Sequence, residues 1–379
     1  ILPVLLILRV HAADHTMPAE GFGAAARGGE GGRVIRVTNL ADEGAGSLRD
    51  ALAQRGARII HFAVEGEVEL KSRLRIREGS VTLDASTAPG NGITLKRHGL
   101  DVVNAEDVIV RGLRLHVSEG GTSGDGILLW GKEGGLTRRV LVEHCSIHGA
   151  TDEGVNTWGR VEDATFQWCL IADAAPPHSK GWLSGAECDR ITLHHCLFAG
   201  CEDRNPKLEG GHYQVVNNVF ADWKNNNATK LRLGARVNLL GNLYLPGATS
   251  NASKGCVFIE DPPGALSLFM QGNVLKGQPT TDEWNWVTLH ERVAGGWNEK
   301  RPAPQSYRAA APFEAPAVNT ESAADALQSV LKQAGALPRD ERDARVAFLA
   351  PLDLDQARGV MLCRRTADRT RAHRRTVAR

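Results

Sequence analysis

The sequence predicts an all-β chain wound as a right-handed parallel β-helix, a solenoid with an N-terminal capping helix and a C-terminal helix. Three observations predict it: a short motif that recurs six times, the β-branched and aliphatic make-up of each recurrence, and turns rather than amphipathic helices between them. The recurring segments are Glu143–Ile147, Gln167–Ile171, His194–Phe198, Val216–Phe220, Leu240–Tyr244 and Gln271–Leu275. Each carries Cys or Asn third and a large apolar residue fifth. The third positions, Cys145, Cys169, Cys196, Asn218, Asn242 and Asn273, are spaced by 24, 27, 22, 24 and 31 residues. Self-similarity at such a period marks a solenoid. Short strands with Gly, Asn and Asp between them fit coils stacked about 4.8 Å apart.

The third position is then a bend at which each residue stacks on its equivalents. Asn can hydrogen-bond along such a ladder through both its amide groups, and Cys fits as a small buried hydrophobe. Three of the seven cysteines are therefore expected to be ladder residues and not disulfide partners. With no C-x-x-C pair, a structural zinc site is not expected. Upstream, 80–84, 92–96 and 107–115 read as strands, and Gly44–Leu52 as a short helix with Ser47 as N-cap, able to cover the open end. Residues 278–318 lack the pattern and are expected to form a loop crossing the outer surface. Residues 321–335 read as an amphipathic helix with Ser322 as N-cap, one face built from Leu327, Val330 and Leu331, and Gly335 as its end.

Residues 14–350 therefore form one solenoid unit. The apolar start, 1–13, is too short to span a bilayer and ends like a signal-peptidase site, so it reads as a signal-peptide remnant and the protein as secreted, extracellular or periplasmic. The last 29 residues carry eight Arg with little periodicity, and 351–379 reads as a disordered tail. Lys plus Arg number 45 against 44 Asp plus Glu. That balance predicts no nucleic-acid or membrane partner, and a monomer is expected.

Polar residues registered against the ladder fall on one strip. Asp152 and Asn156 lie 7 and 11 places after Cys145, Lys180 lies 11 after Cys169, and Arg204 lies 8 after Cys196. Lys230 and Arg232 lie 12 and 14 after Asn218, and Asp125 lies 13 after Gly112, taken as the equivalent slot one coil earlier. A strip with carboxylates at one end and cations at the other is expected. Hard oxygen ligands suit calcium, and calcium with Lys and Arg would hold a carboxylate-rich substrate. The plainer reading is a row of solvated turn residues. His194 and His195, consecutive in a strand, are expected to point to opposite faces and to be structural. For Trp158 and Trp182, packing is favoured over a role as sugar platforms.

Ordered landmarks carry a family resemblance. Pro18–Gly23, Arg33–Leu40, Gly46–Asp50, Thr87–Leu95, Val142–Ser146, Thr151–Val155, Arg204–Pro206, Ala334–Pro338 and Arg342–Val346 resemble, in sequence and order, bacterial pectate lyases of the first polysaccharide lyase family. That resemblance implies calcium-dependent β-elimination on α-1,4-linked polygalacturonate, an acidic polysaccharide. It implies Arg204 as the residue that removes the C5 proton, Lys180 as a substrate-binding residue, and Asp125, Asp152 and Asn156 as calcium ligands, with Glu153 able to substitute. His178 is expected to line the groove, with Lys207 and Arg232 as further substrate-binding cations. Ser123 and Asn156 stand where the family often has acids, which predicts weakened calcium binding. Glu209 replaces the last Arg of the family's Arg-x-Pro-x-x-Arg pattern, and Lys207 is the candidate to supply that charge. A β-helix glycoside hydrolase acting on pectin, which needs two carboxyl groups flanking the bond, and a non-catalytic carbohydrate-binding β-helix are the alternatives.

Overall fold

Parallel strands in three rows wall the solenoid. The computed structural model describes residues 17–118, 124–224, 228–252, 255–260, 266–293, 296–297 and 301–349. The signal-like start, Ser123 and the Arg-rich 351–379 lie outside the described residues. One wall is a separate 9-stranded sheet running from Gly66–Glu69 through Ser146–His148 and Leu197–Ala199 to Val274–Leu275. The other two walls merge into an 18-stranded sheet, because Ile127–Glu143 and Glu153–Gln167 each run from one wall into the next. Strand pairs between coils are parallel; among the described residues antiparallel pairs occur only at the C-terminal end, Val287–Leu289 with Arg301–Pro302 and Arg292–Val293 with Gly296–Trp297.

The ladder forms at the bend before the 9-stranded wall. Asn242 Oδ1 accepts from the Asn218 N–H at 2.9 Å and from Asn218 Nδ2 at 3.0 Å, and Asn273 Oδ1 treats Asn242 likewise at 3.0 and 2.9 Å. Asn218 Oδ1 accepts from the Cys196 N–H at 2.9 Å, and the Cys196 sulfur accepts from the Cys169 N–H at 3.3 Å. The six described cysteines are all free and buried. The fifth positions, Ile147, Ile171, Phe198, Phe220, Tyr244 and Leu275, are register partners inside the core. Their rings lie 5.4 Å apart for Phe198–Phe220 and 5.0 Å for Phe220–Tyr244.

One helix covers the N-terminal coils and two more lie on the outer face of the 9-stranded wall, each anchored beside buried charge. Helix α1 (Leu48–Ala53) starts at Ser47, whose hydroxyl accepts from the Asp50 N–H, and buries Leu48, Ala51 and Leu52. Arg58, fully buried, donates to the carbonyls of Leu52, Gly56, Glu78 and Gly79, tying the helix end to the first coils. Helix α2 (Ala323–Gln333) is capped by Ser322 and lays Leu327 and Val330 on Leu170, Leu197, Val219 and Leu243, the outer face of the 9-stranded wall. A further helix, α3 (Glu341–Leu349), follows. Its buried Asp343 accepts from Ser146 Oγ at 2.7 Å and meets His148 Nε2 at 2.8 Å.

Three expectations need correction. Leu113, not Gly112, occupies the slot opposite Cys145, because Arg114 pairs with Ser146. The strand ends at His194, and His195 turns at φ 51, so the two imidazoles meet with nitrogens 2.9 Å apart and do not face opposite sides. Both remain buried and bonded, to Gln167 and Glu321. The surface loop begins only near Arg308, since Val287–Leu289 adds one more parallel strand and Trp284 and Trp286 are buried beside it.

Asn242→Ala removes an acceptor that serves two donors and strands both in the interior. It should cost about 2–4 kcal/mol of unfolding free energy in denaturant titration. The same change at Asn273, whose Oδ1 also serves two donors, should cost a similar amount. His148 offers a pH test. Burial disfavours its charge, but Asp173 and Asp343 outweigh that and raise its pKa to about 9. The folded value lies above the ordinary one, so the ion pair stabilises fully below about 6.5 and is lost as pH rises through about 9. Unfolding free energy should fall by up to about 3 kcal/mol across that window, and His148→Asn should remove that part of the slope.

Candidate active site

One outer wall carries a dense set of charged side chains. Its strands include Leu74–Ile76, Leu100–Val103, 127–131, 153–159, Lys180–Ser184, Lys207–Glu209 and Thr229–Arg232. Alternation along each strand sends every second side chain outward. Stacked coils then place outward residues of successive strands side by side. Glu153 is the register partner of Lys180, which bridges to Asp203; Lys207 is partner of Lys230, and Glu209 of Arg232.

The structure brings together Asp125, Asp152, Glu153, Asn156, His178 and Arg204. Asp125 accepts from the Glu153 N–H at 3.1 Å and from Asn156 Nδ2 at 3.2 Å. The Asp152 carboxylate bonds His178 Nδ1, and His178 Nε2 lies 3.2 Å from an Arg204 guanidinium nitrogen. A second Arg204 nitrogen bonds Glu153. Because guanidinium only donates, His178 Nε2 accepts and Nδ1–H is given to Asp152. Arg204 itself sits at φ 58, with its carbonyl accepting from the Trp182 N–H, so its side chain projects back over the neighbouring coil.

Electrostatics set the carboxyls apart. Burial pushes Glu153 up to about 8, Asp152 beside it adds to the rise, and Arg204 opposes it. Burial also raises Asp125, against the Glu153 N–H, Arg73 and Asn156. Asp152 is held below its ordinary value: burial is outweighed by hydrogen bonds from Glu153 and His178. Asn156 Oδ1 is buried and has no hydrogen-bond partner among the described residues. An orphaned amide oxygen beside three carboxyls is a donor set that fits a hard cation such as calcium. One ligand atom each from Asp152, Glu153 and His178 already lie within 4.8 Å of one another.

The cations do not form a separate end. Lys180 Nζ lies 2.7 Å from Glu202 and 3.0 Å from Asp203, Lys230 Nζ 2.8 Å from Asp203, and Lys207 Nζ 2.8 Å from Glu209. Arg232 lies 3.3 Å from Glu209 and 3.8 Å from Glu260. Carboxylates thus alternate with cations, so the charge ascribed to Lys207 is balanced by Glu209. The sequence reading missed Glu202, Asp203 and Glu260. Asp203 lies 7 places after Cys196, as Asp152 does after Cys145, and that spacing was a usable signal. Lys180 sits opposite Glu153 and not opposite Asn156, because the turn before Lys180 is longer than its neighbours. Also missed was Arg73, which donates to the Asp125 carbonyl at 2.6 Å while bonded to Asp101. Trp182 is buried as expected, but Trp158 is 49% exposed and packs no core.

A parallel β-helix with a carboxylate–arginine cluster on one outer wall defines the class. No protein-family profile matches the chain. Curated relatives do. A probable pectate lyase C of Emericella nidulans is 37% identical over 256 residues, 67% of this chain and 55% of that protein. Its counterpart in Aspergillus flavus is 35% identical over 259 residues, 67% of this chain and 56% of that protein. The chain therefore spans about half the length of these relatives. Solved structures share the fold: cedar-pollen allergen jun a 1 with TM-score 0.60 and 19% identity, covering 84% of this chain and 93% of that one. The Bacillus sp. N165 pectate lyase Bsp165PelA, solved with trigalacturonate, has TM-score 0.57 and 18% identity, covering 84% and 98%. The chain is a homologue of the pectate lyases and carries their parallel β-helix fold.

A cation held beside Asp152 would compete with protons for the Glu153 oxygens. Calcium affinity measured by titration calorimetry should rise with pH up to about 8. It should then level off, and Glu153→Gln should flatten that rise.

Proposed function

We propose that this protein is a secreted, calcium-dependent pectate lyase that cleaves polygalacturonate by β-elimination. The observation that carries the reading is the contiguous set Asp125, Asp152, Glu153, Asn156, His178 and Arg204, in a chain homologous to pectate lyases. Among the described residues no helix is long and apolar enough to cross a membrane.

Asp125, Asp152, Glu153 and Asn156 would hold calcium. When bound, calcium would neutralise a uronate carboxylate and make the neighbouring C5 proton more acidic. Arg204 takes that proton, the electron pair forms the C4–C5 double bond, and the bond from C4 to the glycosidic oxygen breaks; the departing oxygen gains a proton from solvent. An arginine pKa above 12 makes the neutral form scarce. His178 Nε2, fixed as an acceptor by Asp152, stands against the Arg204 guanidinium and orients it. Lys180, Lys207 and Arg232 bind substrate carboxylates by exchanging them for Glu202, Asp203, Glu209 and Glu260. That exchange keeps the groove satisfied when empty and favours a polyanion that replaces several partners at once.

Polygalacturonate with calcium should yield an unsaturated product absorbing in the near ultraviolet, and a chelator should abolish it. A product with reducing ends but no such absorbance would mark a hydrolase instead. Arg204→Ala should lose about 10²- to 10⁴-fold in turnover, the scale of a lost general base, with an unchanged circular-dichroism spectrum. Normal turnover in that variant would remove Arg204 from the mechanism.

A further inference from the structure

Few large apolar side chains are exposed on the described surface, and Trp158, at 49%, stands on the wall that carries the charged cluster. It follows Asn156 by two residues on one strand, so both side chains share the outward face about 7 Å apart. Its register partner on the preceding coil is Trp130, over whose ring Lys132 Nζ lies at 5.1 Å. On the following coil Thr157 pairs with Ser184, which sets Gly185 beside Trp158.

The glycine explains the pose of the ring. A Cβ at Gly185 would come within 2.8 Å of Trp158 Cε3 and 3.1 Å of Cζ3. The indole therefore lies down across the next coil instead of standing away from the wall. Beyond Gly185 the same row continues with Glu209 and Arg232, whose register is direct. Trp158 thus lies in the row of Arg232 and next to the row of Asn156, Lys207 and Lys230.

We propose that the Trp158 indole is a stacking platform for a pyranose ring of the bound polysaccharide, beside the cation cluster, with Gly185 shaped to seat it. The inference rests on the polygalacturonate reading above and deepens it. A galacturonate ring has an apolar face of C–H groups and a rim of hydroxyls and carboxylate. The indole offers the matching surface, a flat electron-rich face that attracts polarised C–H groups. Alternating Lys, Arg, Asp and Glu recognise the charged rim. Charge pairing alone is largely screened on an open wall; an exposed aromatic face adds a contact that salt does not weaken. Keeping a tryptophan half exposed has a solvation cost, which a stacked sugar offsets by covering the ring.

The test is binding of a galacturonate hexamer with calcium present, read by tryptophan fluorescence and calorimetry, in wild type, Trp158→Ala, Trp158→Phe and Gly185→Ala. Trp158 is exposed, so its variants should melt as wild type does. Trp158→Ala should weaken hexamer binding about tenfold, the scale of one aromatic contact, and abolish most of the fluorescence change. KM should rise more than kcat falls. Trp158→Phe should recover part of the affinity, and calcium affinity without sugar should not move. Gly185→Ala, which lifts the ring, should weaken binding in the same direction. Wild-type hexamer affinity in Trp158→Ala would overturn the platform while leaving the lyase reading intact. Failure of the wild-type protein to bind hexamer at all would overturn that reading, and the platform with it.

Discussion

Register between coils is the constraint on which everything else depends. Each ladder Asn accepts with its side-chain oxygen from the backbone N–H of the coil before it, and donates its amide hydrogens to carbonyls of that coil. A bend that would otherwise leave buried backbone groups unpaired is thereby satisfied. The same contact sets where every following residue of the coil falls. In the earlier coils cysteine takes the slot, its sulfur near the carbonyl two residues back. Amide chemistry and small apolar volume serve one geometric purpose.

The charged wall inherits that register. Residues far apart along the chain meet through this stacking: Lys180 and Asp203 on adjacent coils, and Glu153 with Arg204 two coils on, whose side chain reaches back across the coil between. Within the wall, burial and pairing pull in opposite directions. Asp203 is held low because its burial is outweighed by Lys230 and Lys180, while Glu153 is pushed up because burial and a second carboxyl outweigh one arginine. One part of the wall is a compensated ion lattice. The other is a crowded set of carboxyls that a divalent cation would relieve, with arginine and histidine placed on its rim. Aromatic surface borders both, at Trp130 and Trp158.

The solenoid was legible from the six recurring motifs, because a ladder forces the same residue type to return at every coil. Both caps were legible too: Ser47 and Ser322 each precede an apolar helical pattern, and each hydroxyl accepts the expected N–H. Asp125, Asp152, Asn156 and Arg204 could be placed on one strip by counting from the ladder. Counting failed where turn length varied, as before Lys180, since each extra loop residue shifts the phase of all that follows until the next bend. It failed also for buried partners. Asp203 and Glu260 drew no reading from the sequence, and Trp158 was read as packing, because their surroundings are set by neighbouring coils.

By itself the sequence determined the architecture and the phase of most site residues, since periodicity is a local property that repetition makes readable. The tertiary structure alone decided which charges pair, which amide oxygen is left without a donor, and which tryptophan faces solvent. Those outcomes depend on loop lengths and on the coil above and below, and distance in space between residues tens of positions apart is written in no single stretch of chain.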